Sequence, residues 1–184
     1  MISEKEITES KRKFLDKYNK NNDPRTALQK SRNAASQRNR LFAEKLAEVK
    51  RLKVRHFWED QLQQKYLKYK NEVPFKTFIK DVLEICKEMN KEFNSLGYFS
   101  ETGFRISHGQ KSLSVYLKHL WCLGLIERPP ACPVDRRILK IAEAPADKQS
   151  WGKTNSICEY ARQVNYIKKA AGPDHICDWE VIKF

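Results

Sequence analysis

Two short segments hold the residues of this chain best suited to chemistry. One is Gly109-Gln110-Lys111-Ser112; the other, some two dozen residues later, is Pro133-Val134-Asp135. A lysine amine becomes a nucleophile once burial or neighbouring cations help it shed its proton. A carboxylate beside it can stabilise developing positive charge or help to activate the amine. Both residues also have plainer readings. Asp135 stands where a first helical turn favours a carboxylate through the helix dipole, and Lys111 can be an ordinary solvated lysine. The glycine and the strand that precede a nucleotide P-loop are missing before Gly109. The five cysteines, Cys86, Cys122, Cys132, Cys158 and Cys177, are odd in number and irregular in spacing, which favours buried reduced thiols over a disulfide framework. His175-Ile176-Cys177 and His119-Leu120-Trp121-Cys122 lack the paired spacing of a zinc site, so no metal and no cofactor is expected.

The elements that must position these residues are all helical. Residues 3–20 carry sparse apolar anchors at Ile7, Phe14, Leu15 and Tyr18. Asp23 and Pro24 read as the N-cap and first residue of a second helix. Nothing breaks a helix from there to about Lys70, as one rod or as two with a bend near Lys53; Leu41, Phe42, Leu46, Val49, Leu52 and Phe57 form its irregular stripe. After Val73-Pro74, the run Phe75, Phe78, Ile79, Val82, Cys86, Met89 and Phe93 has strong helical periodicity. A loop follows Gly97. A further amphipathic helix is expected from about Gly109 to Leu123, with Gly124 ending it. Pro129, Pro130 and Pro133 stiffen the link to a short helix over 134–142. Thr154 would cap a helix reaching Ala171, and Asp174 a last one carrying Ile176, Trp179 and Ile182. Strand-like alternation is absent. The expectation is an all-α fold of about six to eight helices, one domain overall, with a basic region over 1–72 and a helical core over 73–184.

The formal net charge is +13. Between Lys11 and Lys70 there are eighteen Lys/Arg against six Asp/Glu, so almost all of the excess sits in that third. Self-repulsion of this size points to a polyanionic partner. Arg32, Arg38 and Arg40, interleaved with amides and hydroxyls, are the first candidates for phosphate contacts. A merely solvated basic helix is the plainer alternative. An acidic membrane surface is a weaker one, because residues 25–40 offer little apolar beyond Leu28. No apolar run is long enough to span a bilayer and the N-terminus has no apolar signal region, so the expected location is the cytoplasm, or the nucleus in a eukaryote.

Taken together, residues 105–142 resemble the core of the helix-hairpin-helix DNA glycosylase/lyase superfamily. There a hairpin ends in a Gly-x-Lys-Thr/Ser step and a Val-Asp opens the next helix. The resemblance covers about a fifth of the chain; Arg105-Ile106-Ser107-His108-Gly109 keeps the last glycine of the hairpin, and 127–132 looks like an insertion. It implies that Lys111 attacks the sugar C1′ and that Asp135 is the catalytic carboxylate. Arg105, His108, Gly109, Gln110, Ser112, Arg136, Arg137 and Lys140 would then contact nucleic acid, with N–H groups at the start of the Gly109 helix holding a phosphate. Trp151 or Tyr160 would stack on a flipped base. The functional expectation is a nucleic-acid-binding protein, DNA before RNA, with a base-excision site. The alternatives are a non-enzymatic DNA- or RNA-binding accessory protein, as in a phage, mobile element or defence system, and a protein–protein adaptor.

Overall fold

The computed structural model describes residues 1–37 and 40–184; Arg38, one of the expected phosphate contacts, lies outside the described residues. Among the described residues there are eight α-helices, joined by loops and short 3₁₀ turns, and no strand. The fold is all-α. None of these helices is long and apolar enough to cross a membrane.

Helix α1 (Glu4–Tyr18) opens on a reciprocal cap in which Ser3 and Glu6 satisfy each other's backbone N–H groups. Helix α2 (Pro24–Ser36) starts as the sequence implies, with the Asp23 carboxylate accepting from the N–H groups of Arg25 and Thr26. The helical run then stops well before Lys53. Residues 40–47 are irregular, and an antiparallel bridge pairs Phe42 with Phe99. Helix α3 (Glu48–Tyr66) buries Val54, Trp58, Leu62 and Lys65, one turn apart, while Val49 and Leu52 from the expected stripe are exposed. Helix α4 (Phe75–Phe93) buries the face its periodicity marks.

Helix α5 (Ile106–Cys122) runs through the middle of the molecule and is buried on nearly every side. It begins three residues before the expected start, so Gly109 lies inside the helix. A Cβ on Gly109 would come 2.8 Å from Cys86 Sγ and 3.3 Å from Val82, so the glycine permits close approach of α4. Gly124, at φ +74°, ends α5, and the Leu125 N–H donates back to the Leu120 carbonyl.

Helix α6 (Arg136–Ile141) is capped by Asp135. Helix α7 (Ile157–Ala171) is capped by Ser156; Thr154 is instead buried, with its hydroxyl donating to Gln163. Helix α8 (Ile176–Lys183) takes its cap from His175 Nδ1, and Asp174 accepts from the Ile2 N–H. The basic N-terminal helices are built into the core: α1, α2 and α3 all pack against α5. Trp58 on α3 donates to Ser112 on α5 at 3.0 Å.

Candidate functional site

The amphipathic pattern expected of α5 conceals how many polar side chains the helix carries inside. Each needs a partner, because an unpaired buried polar group costs about 1–3 kcal/mol. Ser112 and Ser114 donate to carbonyls one turn back, those of His108 and Gln110. Gln110 reaches outward: its Nε2 donates to the Val134 carbonyl at 3.1 Å, and its Oε1 accepts the Val134 N–H at 3.4 Å. The next residue, Lys111, donates from Nζ to Asp135 Oδ2 at 2.6 Å. Adjacent side chains of α5 therefore hold adjacent residues of the stretch entering α6. The second oxygen of Asp135 accepts the Ile138 N–H at 3.0 Å.

Lys111 is 5% exposed, whereas the Asp135 side chain keeps 23% of its surface open. Burial by itself would raise the Asp135 carboxyl. The Lys111 ammonium and the N–H groups of Ile138 and Arg137 outweigh it, so its pKa lies below the ordinary carboxylate value. The pair rests as an ion pair. The Trp151 ring lies 5.7 Å from Lys111 Nζ.

The segment 152–155 closes over the start of α5. The Ser107 N–H donates to the Thr154 carbonyl at 3.0 Å, the Ser107 hydroxyl to the Gly152 carbonyl at 3.0 Å, and the Ile106 N–H to Asn155 Oδ1 at 3.4 Å. The N–H groups of His108 and Gly109 go to the Arg105 carbonyl. This corrects the expectation that the helix start holds a phosphate, since protein acceptors occupy its amides.

The expected contact residues separate into two groups. His108, Gly109, Gln110 and Ser112 are buried, and Arg105 is partly buried. The four buried residues shape the core around Lys111 and present little surface to a phosphate, whereas Arg105 keeps part of its surface open. Tyr160 is wholly buried against Phe75 and Phe78, so Trp151 is the aromatic left beside the pair. Arg136, Arg137 and Lys140 are exposed on the helix that Asp135 caps. Of these, Arg137 donates to the Lys183 carbonyl and lies over the Phe184 ring. In the N-terminal third, Arg32 is paired with Glu59 at 2.9 Å, and Arg40 faces Glu44 at 3.5 Å.

Sequence reasoning missed a second pair on α5. Two turns beyond Lys111, Lys118 Nζ binds both oxygens of Glu180, at 2.9 and 2.7 Å, beneath the rings of Phe14 and Phe184. Both partners are almost completely enclosed. Only the Asp135 carboxylate, of the two, has a path to solvent. A groove of about 760 Å³ is lined by Lys11, Trp121, Phe75, Arg128 and His175 among others, and takes in neither Lys111 nor Asp135. Among the described residues there is no group of three His, Cys, Asp or Glu able to hold a metal. All five cysteines are free thiols; Cys158 is exposed, contrary to the expectation that all are buried.

Comparisons with protein-family models, with curated proteins and with solved structures find no match to this chain.

Proposed function

We propose that this chain binds nucleic acid, DNA in preference to RNA, and that Lys111 and Asp135 form a base-excision site of the glycosylase/lyase type. The observation that carries the reading is the 2.6 Å pairing of Lys111, on α5, with Asp135, the N-cap of α6. Three further cations, Arg136, Arg137 and Lys140, stand exposed on the helix beside that carboxylate. They offer charge for the phosphates flanking an extruded nucleotide.

The proposed chemistry uses the Lys111–Asp135 contact as its starting point. The lysine is stored as an ammonium against Asp135 and is inert until its proton leaves. A nucleotide entering beside Trp151 would displace the segment 151–155 and place its C1′ near Nζ. As the glycosidic bond breaks, positive charge develops on the sugar, and the ionised Asp135 is the group able to stabilise it. The ammonium gives one proton to solvent before attack; the free amine then bonds C1′, and the second proton passes to the departing base. Ring opening gives an imine that borohydride reduces to a stable amine.

The test is borohydride trapping on a duplex with an abasic or damaged nucleotide. Wild type should form the covalent adduct. Lys111→Ala should lose it while retaining salt-sensitive binding, and Asp135→Asn should slow it by more than tenfold. Binding without any adduct would remove the enzymatic half of the reading.

One observation favours a second reading, a binding protein without chemistry: the 5% exposure of Lys111 under Trp151 and the capping segment. On that reading the pair only fixes α6 to α5, and both variants would leave the protein's nucleic-acid binding unaltered apart from stability.

A further inference from the structure

The charge of the N-terminal third becomes informative once each cation is asked what neutralises it. Arg12, Lys13, Arg32, Arg40, Lys53, Arg55, Lys65 and Lys68 all face carboxylates. Among the described residues, Lys17, Lys20 and Lys30 do not; Lys45, Lys50 and Lys70 also lack such a partner, but they stand apart from these three. These three are exposed and line one depression of about 250 Å³, at the elbow where α1 ends and α2 begins, together with Tyr18, Asn19, Asn21 and Thr26. Among the described residues no carboxylate lines it.

We infer that Lys17, Lys20 and Lys30, with the Asn21 amide, grip a backbone phosphate of a bound nucleic acid at this elbow. The inference rests on the nucleic-acid reading above and adds a location to it.

Three features of the elbow support it. The first is rigidity. Asn19 is buried and clamps the turn, its Nδ2 donating to the Asp23 carbonyl at 3.0 Å and its Oδ1 accepting the Asp23 N–H at 3.1 Å. The cations are thus mounted on a fixed turn. The second is the nearest acid. The Asp23 carboxylate accepts from the N–H groups of Arg25 and Thr26 and from the Thr26 hydroxyl, each at 3.0 Å. It caps α2 and makes no ion pair with the lysines. The third is the reach of the charge. His119, buried on α5, has its pKa lowered by burial first and then by Lys118 and Lys30. Lys17 does sit in the last turn of α1, where any helix favours a cation. Lys20 and Lys30 have no such local reason to converge on it.

A phosphodiester fits this chemistry. It is a single anion with several acceptor oxygens, and its neutralisation releases counterions from the polymer. The experiment measures the affinity of a labelled 20-base-pair duplex against salt for three proteins. They are wild type, the elbow variant Lys17→Ala/Lys20→Ala/Lys30→Ala, and a charge-matched control, Lys76→Ala/Lys80→Ala/Lys87→Ala, on the exposed side of α4. If all three elbow lysines engage phosphates, the log–log salt slope of the elbow variant should be shallower by about 2.7, with the control close to wild type. Equal slopes in the elbow variant and wild type overturn the inference and leave the parent reading standing. Equal loss in both variants also overturns it, since net charge alone then accounts for the effect. Failure of wild type to bind any duplex at low salt overturns both. A parallel titration with inorganic phosphate, read by amide shifts at Asn21 and Thr26, separates the sources. Saturation there with an unchanged duplex slope would assign the elbow to a free phosphate and overturn the inference.

Discussion

Lys111 and Asp135 illustrate how a buried ion pair is weighed. Each partner is costly to bury alone, and breaking such a pair from one side leaves an uncompensated charge worth about 3–5 kcal/mol. Lys111→Met leaves Asp135 with partial access to water and the Ile138 N–H, so its cost should be near or below the low end. Asp135→Leu strands a 5%-exposed ammonium and removes the cap of α6, and should cost more. In urea denaturation, the double variant should be less destabilised than the sum of the singles. Strict additivity would show that the 2.6 Å contact contributes nothing to stability. The pH dependence has a defined sign. Asp135 titrates lower in the folded chain than in the unfolded one, so its contribution is complete above the unfolded carboxylate value and is lost as pH falls through the folded value. His119 acts at milder pH. Its pKa is pushed down to about 4, burial being the largest cause, so the folded state favours the neutral ring. That contribution is whole above about 6.5 and is lost on the way down to about 4, to the extent of about 3 kcal/mol. Unfolding midpoints of wild type should fall across this window, with a visibly smaller fall in His119→Phe. Parallel curves would contradict the assignment.

Among the elements, α5 shows what the sequence displays and what it hides. Strong periodicity made α4 legible, because one face meets the core and the other meets water. The same reasoning finds the apolar positions of α5, Leu113, Tyr116, Leu117 and Leu120, but does not reveal that its serines, histidines and lysines lie inside. They are inside because Val134, Asp135, Glu180 and the helix's own carbonyls satisfy them, and those partners come from distant parts of the chain. Pairing of this kind leaves no periodic trace. The break after α2 was missed for a related reason. Residues 40–47 contain no strong breaker, and the bridge to Phe99 that holds part of them is a tertiary contact. In the sequence Gly109 looks like a helix start suited to phosphate, whereas in the structure its missing Cβ admits α4. Gly109→Ala should therefore lower stability by about 1–3 kcal/mol, from overpacking against Cys86 and Val82. A neutral or stabilising effect in thermal or urea unfolding would show that α4 can move away freely. From the sequence, Lys111 and Asp135 are expected to face one cleft bordered by positive charge; the two residues meet at 2.6 Å, with Lys111 enclosed. Their enclosure was not foreseen, because it depends on Trp151 and the segment after it folding back over α5.

For the whole molecule, the basic N-terminal helices and the Lys111–Asp135 pair belong to one packed body. Arg32 is paired with Glu59, while Lys17, Lys20 and Lys30 converge at the α1–α2 elbow and Arg136, Arg137 and Lys140 stand exposed on α6. A duplex engaging both regions would be held chiefly through its backbone, so binding should weaken steeply as salt rises. Whether Lys111 acts as the nucleophile is decided by where a covalent bond forms. An abasic duplex, incubated with the wild-type protein and reduced with borohydride, can be digested and its adduct mapped by mass spectrometry. The account predicts one dominant modified peptide, carrying the sugar remnant on Lys111. An adduct absent altogether, or spread over surface lysines such as Lys20 and Lys153, would contradict it.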